Sequence, residues 1–270
     1  MEGWRRRLRS LNMTGLLWVA LCFGLTSAVY LSWLDRLIIL ASSSSADWLS
    51  MVAGYLCQAV GMGGVALWLR HHPESAPREP FRIASLLFAV VCVPALLTDT
   101  ALGAAAFGFV MNLLCGVIAG FYLFAIAARE DSGHRGMVFG GGYALATVAV
   151  GLLALIRSGG FLHSHYILLL CLPLCALMAL VPHRAGLLEA PGEARVPPDE
   201  VTGRDLALAC AVVLLTSIVK NLGFSFPSSD IEAGLIPELS RLPYAIGLVA
   251  AGWITDRDRK HGMACTLAAL

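Results

Sequence analysis

The stretch Gly252-Trp-Ile-Thr-Asp256-Arg257-Asp-Arg259-Lys260 lies late in the chain, between two apolar runs. It joins a small residue, a carboxylate one turn later and a group of cations. At a membrane surface this grouping has a physical use: Gly252 allows a neighbouring helix to approach closely, and Asp256 can cap the N-terminus of a nearby helix. The cations would lie in water beside anionic lipid headgroups. The alternative is a solvated charge run that only ends a helix.

The composition indicates a membrane protein. The chain has 270 residues, of which 58% are hydrophobic and 14% charged, and its mean hydropathy is +0.75. Soluble domains are about 25% charged, so this chain has too few polar side chains to cover a globule. Because the alternating polar positions of a barrel are absent, the crossings should be helices. We therefore predict an all-α integral membrane protein, with the lipid bilayer as its partner.

Apolar runs recur along the chain, most of them close to the roughly twenty residues that cross about 30 Å of hydrocarbon. Eight complete spans are predicted, at residues 13–34, 48–69, 82–97, 101–127, 137–156, 164–182, 205–224 and 236–255. A ninth run begins near residue 261 and stops at Leu270. Because so short a run cannot cross a bilayer by itself, we expect the sequence to be C-terminally incomplete.

The distribution of cations predicts the orientation. With the N-terminus in the cytoplasm, this layout places all but four of the 19 Lys and Arg residues in cytoplasmic segments. The exceptions are Arg36, Arg157, Lys220 and Arg241. The positive-inside rule demands such a bias. We predict a multi-pass protein of the plasma (inner) membrane with a cytoplasmic N-terminus.

A long polar segment divides the spans into two groups. Residues 183–204 follow the sixth span and carry prolines and mixed charges, whereas the other loops are short. Such a composition is typical of a flexible linker. We predict an N-terminal six-helix bundle at residues 1–182, a cytoplasmic linker at 183–204 and the incomplete start of a second bundle at 205–270.

The opening stretch and this layout resemble the major facilitator superfamily (MFS). Its loop motif is Gly-x-x-x-Asp-Arg/Lys-x-Gly-Arg/Lys-Arg/Lys, and the copy after its eighth helix is matched here by Gly252, Asp256, Arg257 and Lys260. Arg259 stands where the family has glycine, and His261 where a second cation is common. The copy expected between spans two and three lacks an Asp-Arg pair. The resemblance implies an MFS-like bundle with substrate held between two halves that rock against each other.

Polar side chains inside apolar runs are candidates for ligand binding, because they are costly in hydrocarbon. The candidate cleft residues are Gln58, Asn112, Lys220 and Asn221, with Asp35 and Arg36 at the outer helix ends as its mouth. The alternative is that the amides only bond between helices and that Lys220 reaches the outer interface. Glycines of spans two, four and five, including Gly116-x-x-x-Gly120, are predicted to allow close helix contact.

The sequence does not indicate other chemistry. The eight Cys lie in apolar runs without metal-ligand spacing, so we interpret them as small buried hydrophobic residues and predict no metal or cofactor. No nucleophile elbow, phosphate loop or zinc-protease motif occurs, so no enzyme is predicted. The basic residues are spread over short loops, and no nucleic-acid binding is predicted within these residues.

Two functions fit these observations. The first is MFS-like secondary transport of an unidentified small molecule by alternating access between two helical bundles. The second is a membrane sensor, because Lys220 to Leu270 also resembles the membrane part of bacterial regulators with a C-terminal LuxR-type helix-turn-helix domain. That DNA-binding domain would lie beyond residue 270. The missing first-loop motif and the sparse polar groups fit a bundle that binds a ligand without carrying it.

Overall fold

The computed structural model describes residues 12–41, 44–72, 75–129, 133–158, 164–188 and 241–257. All regular secondary structure in these ranges is α-helical. The helices are α1 (Met13–Ala41), α2 (Ser44–His71), α3 (Arg78–Leu97), α4 (Ala101–Arg129), α5 (Arg135–Ser158), α6 (Ser164–Ala185) and α7 (Arg241–Arg257). Five of them, α1 to α5, are long and apolar enough to cross a membrane. The chain is therefore a multi-pass helical membrane protein.

The predicted spans are confirmed in part. The first five coincide with α1 to α5. The sixth is a helix, but its apolar described part, Leu169–Pro182, is shorter than a full crossing. The eighth is represented by α7, which has 17 residues, and the predicted seventh and ninth spans lie outside the described residues. The described ranges thus hold five crossing helices rather than the eight predicted.

The first helix is longer than predicted. The span was expected to end at residue 34, but α1 continues to Ala41. Residues 37–40 are still apolar, and the Leu37 side chain is buried in the core, which favours continuing the helix. Asp35 and Arg36, expected at the end of the helix, therefore lie within it.

The core forms around α1, which packs against α2, α3, α4, α5 and α6. Further contacts pair α2 with α4, α3 with both α4 and α6, and α5 with α7. The largest fully buried side chains include Trp18, Trp33, Phe81, Phe88 and Met111. Large apolar side chains such as Leu102, Ile39 and Ile246 point outward. An apolar exterior of this kind is the surface that lipid requires.

Both buried indoles have hydrogen-bond acceptors, as expected for a Trp N–H in an apolar environment. The Trp33 Nε1 donates to the Ala104 carbonyl oxygen at 2.8 Å, and the Trp18 Nε1 donates to the Met178 carbonyl oxygen at 3.2 Å. The Trp33 ring lies directly against Gly108, where a Cβ would overlap it. These bonds connect α1 to α4 and to α6.

The glycines predicted to bring helices together do so between α2 and α4. A Cβ on Gly61 would meet the Leu113 carbonyl oxygen, and a Cβ on Gly116 would meet the backbone of Gln58. One turn along α4, a Cβ on Gly120 would lie 2.8 Å from Val65 Cβ. The prediction for the Gly116-x-x-x-Gly120 pair is confirmed. It fails for the two neighbouring glycines of α2, Gly63 and Gly64, which have nothing within 4 Å among the described residues.

Candidate functional site

The Asp256 carboxylate binds the N-terminus of α5. Its Oδ1 accepts a hydrogen bond from the Gly136 N–H at 2.7 Å, and its Oδ2 accepts one from the Met137 N–H at 2.8 Å. These residues stand in the first turn of α5, whose N–H groups have no acceptor within the helix. The positive end of the helix dipole adds to the attraction. We call this contact between α7 and α5 the Asp256 cap.

Three glycines make the cap possible, because they let the two helices touch through their backbones. A Cβ on Gly252 would meet the Gly136 carbonyl oxygen, and a Cβ on Gly136 would meet the Gly252 carbonyl oxygen. One turn further along α5, a Cβ on Gly140 would meet the Leu248 carbonyl oxygen. At this separation the short Asp256 side chain reaches the α5 amides, and the carboxylate is only 8% exposed.

The sequence predicted part of this arrangement. Close approach at Gly252 and capping by Asp256 are both present. The partner Gly136 was missed, although a glycine in the first turn of a predicted helix was a usable signal. The Arg257 guanidinium lies 5.3 Å from the centre of the Trp253 ring, within the range of a cation–π contact. Lys260 lies outside the described residues.

The two candidate amides of α2 and α4 bind each other. Gln58 Nε2 donates to Asn112 Oδ1 at 2.8 Å, and Asn112 Nδ2 donates to the Gly108 carbonyl oxygen at 2.9 Å. Asn112 is fully buried, while Gln58 is half-buried. Pairing satisfies the polar atoms of Asn112 within the membrane, as the interhelical alternative predicted.

Aromatic side chains that the sequence analysis did not single out lie beside these amides. A Cβ on Gly54 would lie 3.3 Å from Tyr30 Cε2 and 3.5 Å from Asn112 Cγ, so one glycine faces both groups. The Tyr55 ring lies 5.7 Å from the Tyr30 ring, and the Trp33 ring lies 5.9 Å from it, between centroids. Tyr55 gave a usable signal, because it lies well inside an apolar run and away from the membrane interfaces that tyrosine favours. Tyr30, one turn before the predicted end of the first span at residue 34, did not.

The polar candidates Asp35 and Arg36 lie in the last two turns of α1, beyond Trp33. Arg36 Nη2 donates to Asp99 Oδ1 and to the Thr98 carbonyl oxygen, both at 2.8 Å, and to the Leu97 carbonyl oxygen at 3.3 Å. The guanidinium thus neutralises the negative C-terminal end of α3. Its described partners belong to the α3 end and not to the amide pair. Lys220 and Asn221 lie outside the described residues.

A second tyrosine pair lies elsewhere in the bundle, between α4 and α5. The Tyr122 and Tyr143 hydroxyls share a hydrogen bond, and the Phe23 ring of α1 stacks on Tyr143. Five of the cysteines, Cys22, Cys92, Cys115, Cys171 and Cys175, are buried in the same core. Their burial confirms the interpretation of these cysteines as small buried residues. In the described ranges, His, Cys, Asp and Glu form no group of three or more placed to hold a metal.

No family model, no curated protein and no solved structure matches the chain.

Proposed function

We propose that this chain is an MFS-like secondary transporter, with N-terminal residues in the cytoplasm, that moves an unidentified small molecule by alternating access between two helical bundles. The observation that carries the proposal is the Asp256 cap. It joins α5, in the predicted first bundle, to α7, in the predicted second bundle, across 120 residues of sequence. Alternating access requires a contact that holds the two bundles together on one side of the membrane. The Asp256 cap is a contact of this kind.

The chemistry of the cap suits a contact that forms and breaks. Two hydrogen bonds to an ionised carboxylate hold the helices together. Because the residues at the crossing are glycines, the helices can separate without repacking interlocked side chains. Hydrogen bonds to charged groups contribute about 1.5–3 kcal/mol each. Because conformational equilibria in proteins are shifted by a few kcal/mol, a contact of this size is sufficient to favour one of two arrangements.

The position of the cap supports the orientation. Asp256 precedes the cations Arg257, Arg259 and Lys260 in sequence, and the α5 end it binds begins at Arg135. The positive-inside rule places both segments on the cytoplasmic side. In this proposal the cap closes the cytoplasmic side, and substrate meets the Gln58–Asn112 pair from outside.

Pulsed electron paramagnetic resonance between spin labels at Arg135→Cys and Thr255→Cys, in a background without native cysteines, tests the proposal. Both positions are exposed beside the cap. We expect a short distance when the cap is formed and a longer one when the cytoplasmic side opens. Asp256→Ala should move the population towards the longer distance, and Asp99→Ala, at the α3 end, should not. One short distance that Asp256→Ala leaves unchanged would contradict alternating access.

A sensor is the second candidate, and the connection between α2 and α3 favours it. The ion pairs described there, Arg78 with Glu79 and Arg82 with Glu79, are both within α3 and join no second helix. A bundle whose described residues hold one such cap, between α5 and α7, is suited to ligand binding with small movement. Reading the coding sequence beyond Leu270 separates the candidates. Three further spans and a stop favour transport, whereas three spans and a soluble domain of about sixty residues favour a LuxR-type regulator.

A further inference from the structure

The hydroxyl oxygen of Tyr30 is buried and has no hydrogen-bond partner among the described residues. The side chain is 8% exposed, on the inner face of α1. The Tyr55 hydroxyl is a neighbouring hydrogen-bonding group that interacts with it weakly, but the distance and angle between the two hydroxyls fall short of a full hydrogen bond. Native structures contain few buried polar atoms without partners, so each one requires an explanation.

A second tyrosine and two amides lie on the side of the Tyr30 ring that faces α2 and α4. A Cβ on Gly54 would lie 3.3 Å from Tyr30 Cε2 and 3.5 Å from Asn112 Cγ, so Gly54 faces both side chains. Gln58 is one turn along α2 and donates to Asn112. We call Tyr30, Tyr55, Gln58 and Asn112 the Tyr30 cluster. It joins α1, α2 and α4 well inside their spans.

The cluster is buried at one end and open at the other. Tyr30 and Asn112 are buried, Gln58 is half-buried, and Tyr55 is 40% exposed. A ligand would therefore enter past Tyr55 and meet the Tyr30 hydroxyl last. Asn112 has both of its amide atoms engaged, which leaves the Tyr30 hydroxyl as the donor. Gln58, whose Nε2 donates to Asn112, is the second polar group.

The chemistry of the cluster selects against charge. Its four side chains include no carboxylate, ammonium or guanidinium, and a charge held inside a membrane without a counter-charge is costly. The rings of Tyr30, Tyr55 and Trp33 form an aromatic wall beside the polar atoms. We propose that the Tyr30 cluster binds a small uncharged ligand with an aromatic or apolar body and a carbonyl or hydroxyl oxygen, which accepts a hydrogen bond from the Tyr30 hydroxyl. This inference rests on the proposed function, because it names the substrate class of that cleft.

The first measurement compares the melting temperatures of Tyr30→Phe and Tyr122→Phe in detergent. Tyr122→Phe removes a paired hydroxyl and should lower the melting temperature. Tyr30→Phe removes an unpaired one, so the melting temperature should stay the same or rise. A drop in Tyr30→Phe as large as that in Tyr122→Phe would show that the hydroxyl already has a partner within the chain, which overturns the inference.

The second measurement titrates three small probes against tryptophan fluorescence, since Trp33 adjoins the cluster. The probes are N-acetylphenylalaninamide, which is neutral, and its charged relatives N-acetylphenylalanine and phenylalaninamide. We expect the neutral probe to bind at least tenfold more tightly than either charged one. The Tyr30→Phe change should weaken that binding about three- to tenfold, the value of one neutral hydrogen bond.

The outcomes separate this inference from the proposed function. No binding of the neutral probe, equal binding of all three, or equal binding to Tyr30→Phe each overturns the ligand class or the role of the hydroxyl. The first two would also occur if the hydroxyl held only a water molecule. Binding as expected, together with one spin-label distance that Asp256→Ala does not change, overturns transport but leaves the binding site standing.

Discussion

Replacing Asp256 with alanine tests how much the contact between α5 and α7 depends on one carboxylate. The change removes both acceptors, at 2.7 Å and 2.8 Å, from the first turn of α5. Each bond to a charged acceptor is worth about 1.5–3 kcal/mol, and the two are not additive because they share one carboxylate. We therefore expect Asp256→Ala to lower the free energy of unfolding by about 3 kcal/mol.

Asp256→Asn provides a graded comparison. The asparagine retains one acceptor oxygen, so it can keep one of the two hydrogen bonds. It loses the charge that interacts with the helix dipole, a contribution of about 0.3–2 kcal/mol. We expect a loss near half that of the alanine variant.

Equilibrium unfolding of the purified protein in mixed micelles, with added denaturing detergent and circular dichroism as the signal, measures both changes. Asp99→Ala is the matched control, because its carboxylate is 94% exposed and pairs with Arg36 at a helix end. Exposed pairs of this kind contribute about 0–1 kcal/mol. If Asp256→Ala cost no more than Asp99→Ala, or if the asparagine and alanine variants cost the same, the account of two hydrogen bonds would be wrong.

Three further changes test the helix contacts, each by the same unfolding measurement. Gly136→Ala should lower the free energy of unfolding by about 1–3 kcal/mol, because its Cβ would overlap a carbonyl oxygen of α7. The control is Gly247→Ala, whose Cβ would have nothing within 4 Å among the described residues, and it should cause no loss of stability. Gly116→Ala should also destabilise, through overlap with the α2 backbone, whereas Gly63→Ala should stabilise by about 0.5–1 kcal/mol because alanine restricts the unfolded chain. If Gly63→Ala were more destabilising than Gly116→Ala, the packing described between α2 and α4 would be wrong. Asn112→Leu should cost about 1 kcal/mol by leaving its partner amide unpaired, and a neutral result would mean that the pair adds nothing to stability.

The fold was predictable from sequence wherever lipid dictates it. Long apolar runs must become helices because the hydrocarbon offers no other partner for backbone N–H and C=O groups, and α1 to α5 follow that requirement. The end of α1 was misplaced because Asp35 and Arg36 looked like a boundary. Arg36 is tolerated inside the helix because its guanidinium reaches the carbonyl oxygens at the end of α3, a contact that no local pattern reveals.

The residue types of the candidate site were predictable from the sequence, but the residues to which they bind were not. A carboxylate one turn after a glycine indicates a cap, but the amides it binds are 120 residues away in sequence. The partnership of Gln58 with Asn112 likewise depends on the register between α2 and α4. Tyr30 was not selected at all, because a tyrosine in an apolar run looks like core until its hydroxyl is seen to have no partner.

The distance along the chain between Asp256 and α5 also affects synthesis. Ribosomes add about 5–20 residues per second, so the amides at the start of α5 emerge roughly 6–24 seconds before the carboxylate that will receive them, over a separation of 120 residues. During that interval the nascent helix end must be solvated by water or headgroups at the bilayer surface. An arrest or truncation before Asp256 would thus leave a membrane-inserted intermediate in which the first N–H groups of α5 lack their carboxylate acceptor. Quality-control proteases could recognise this feature.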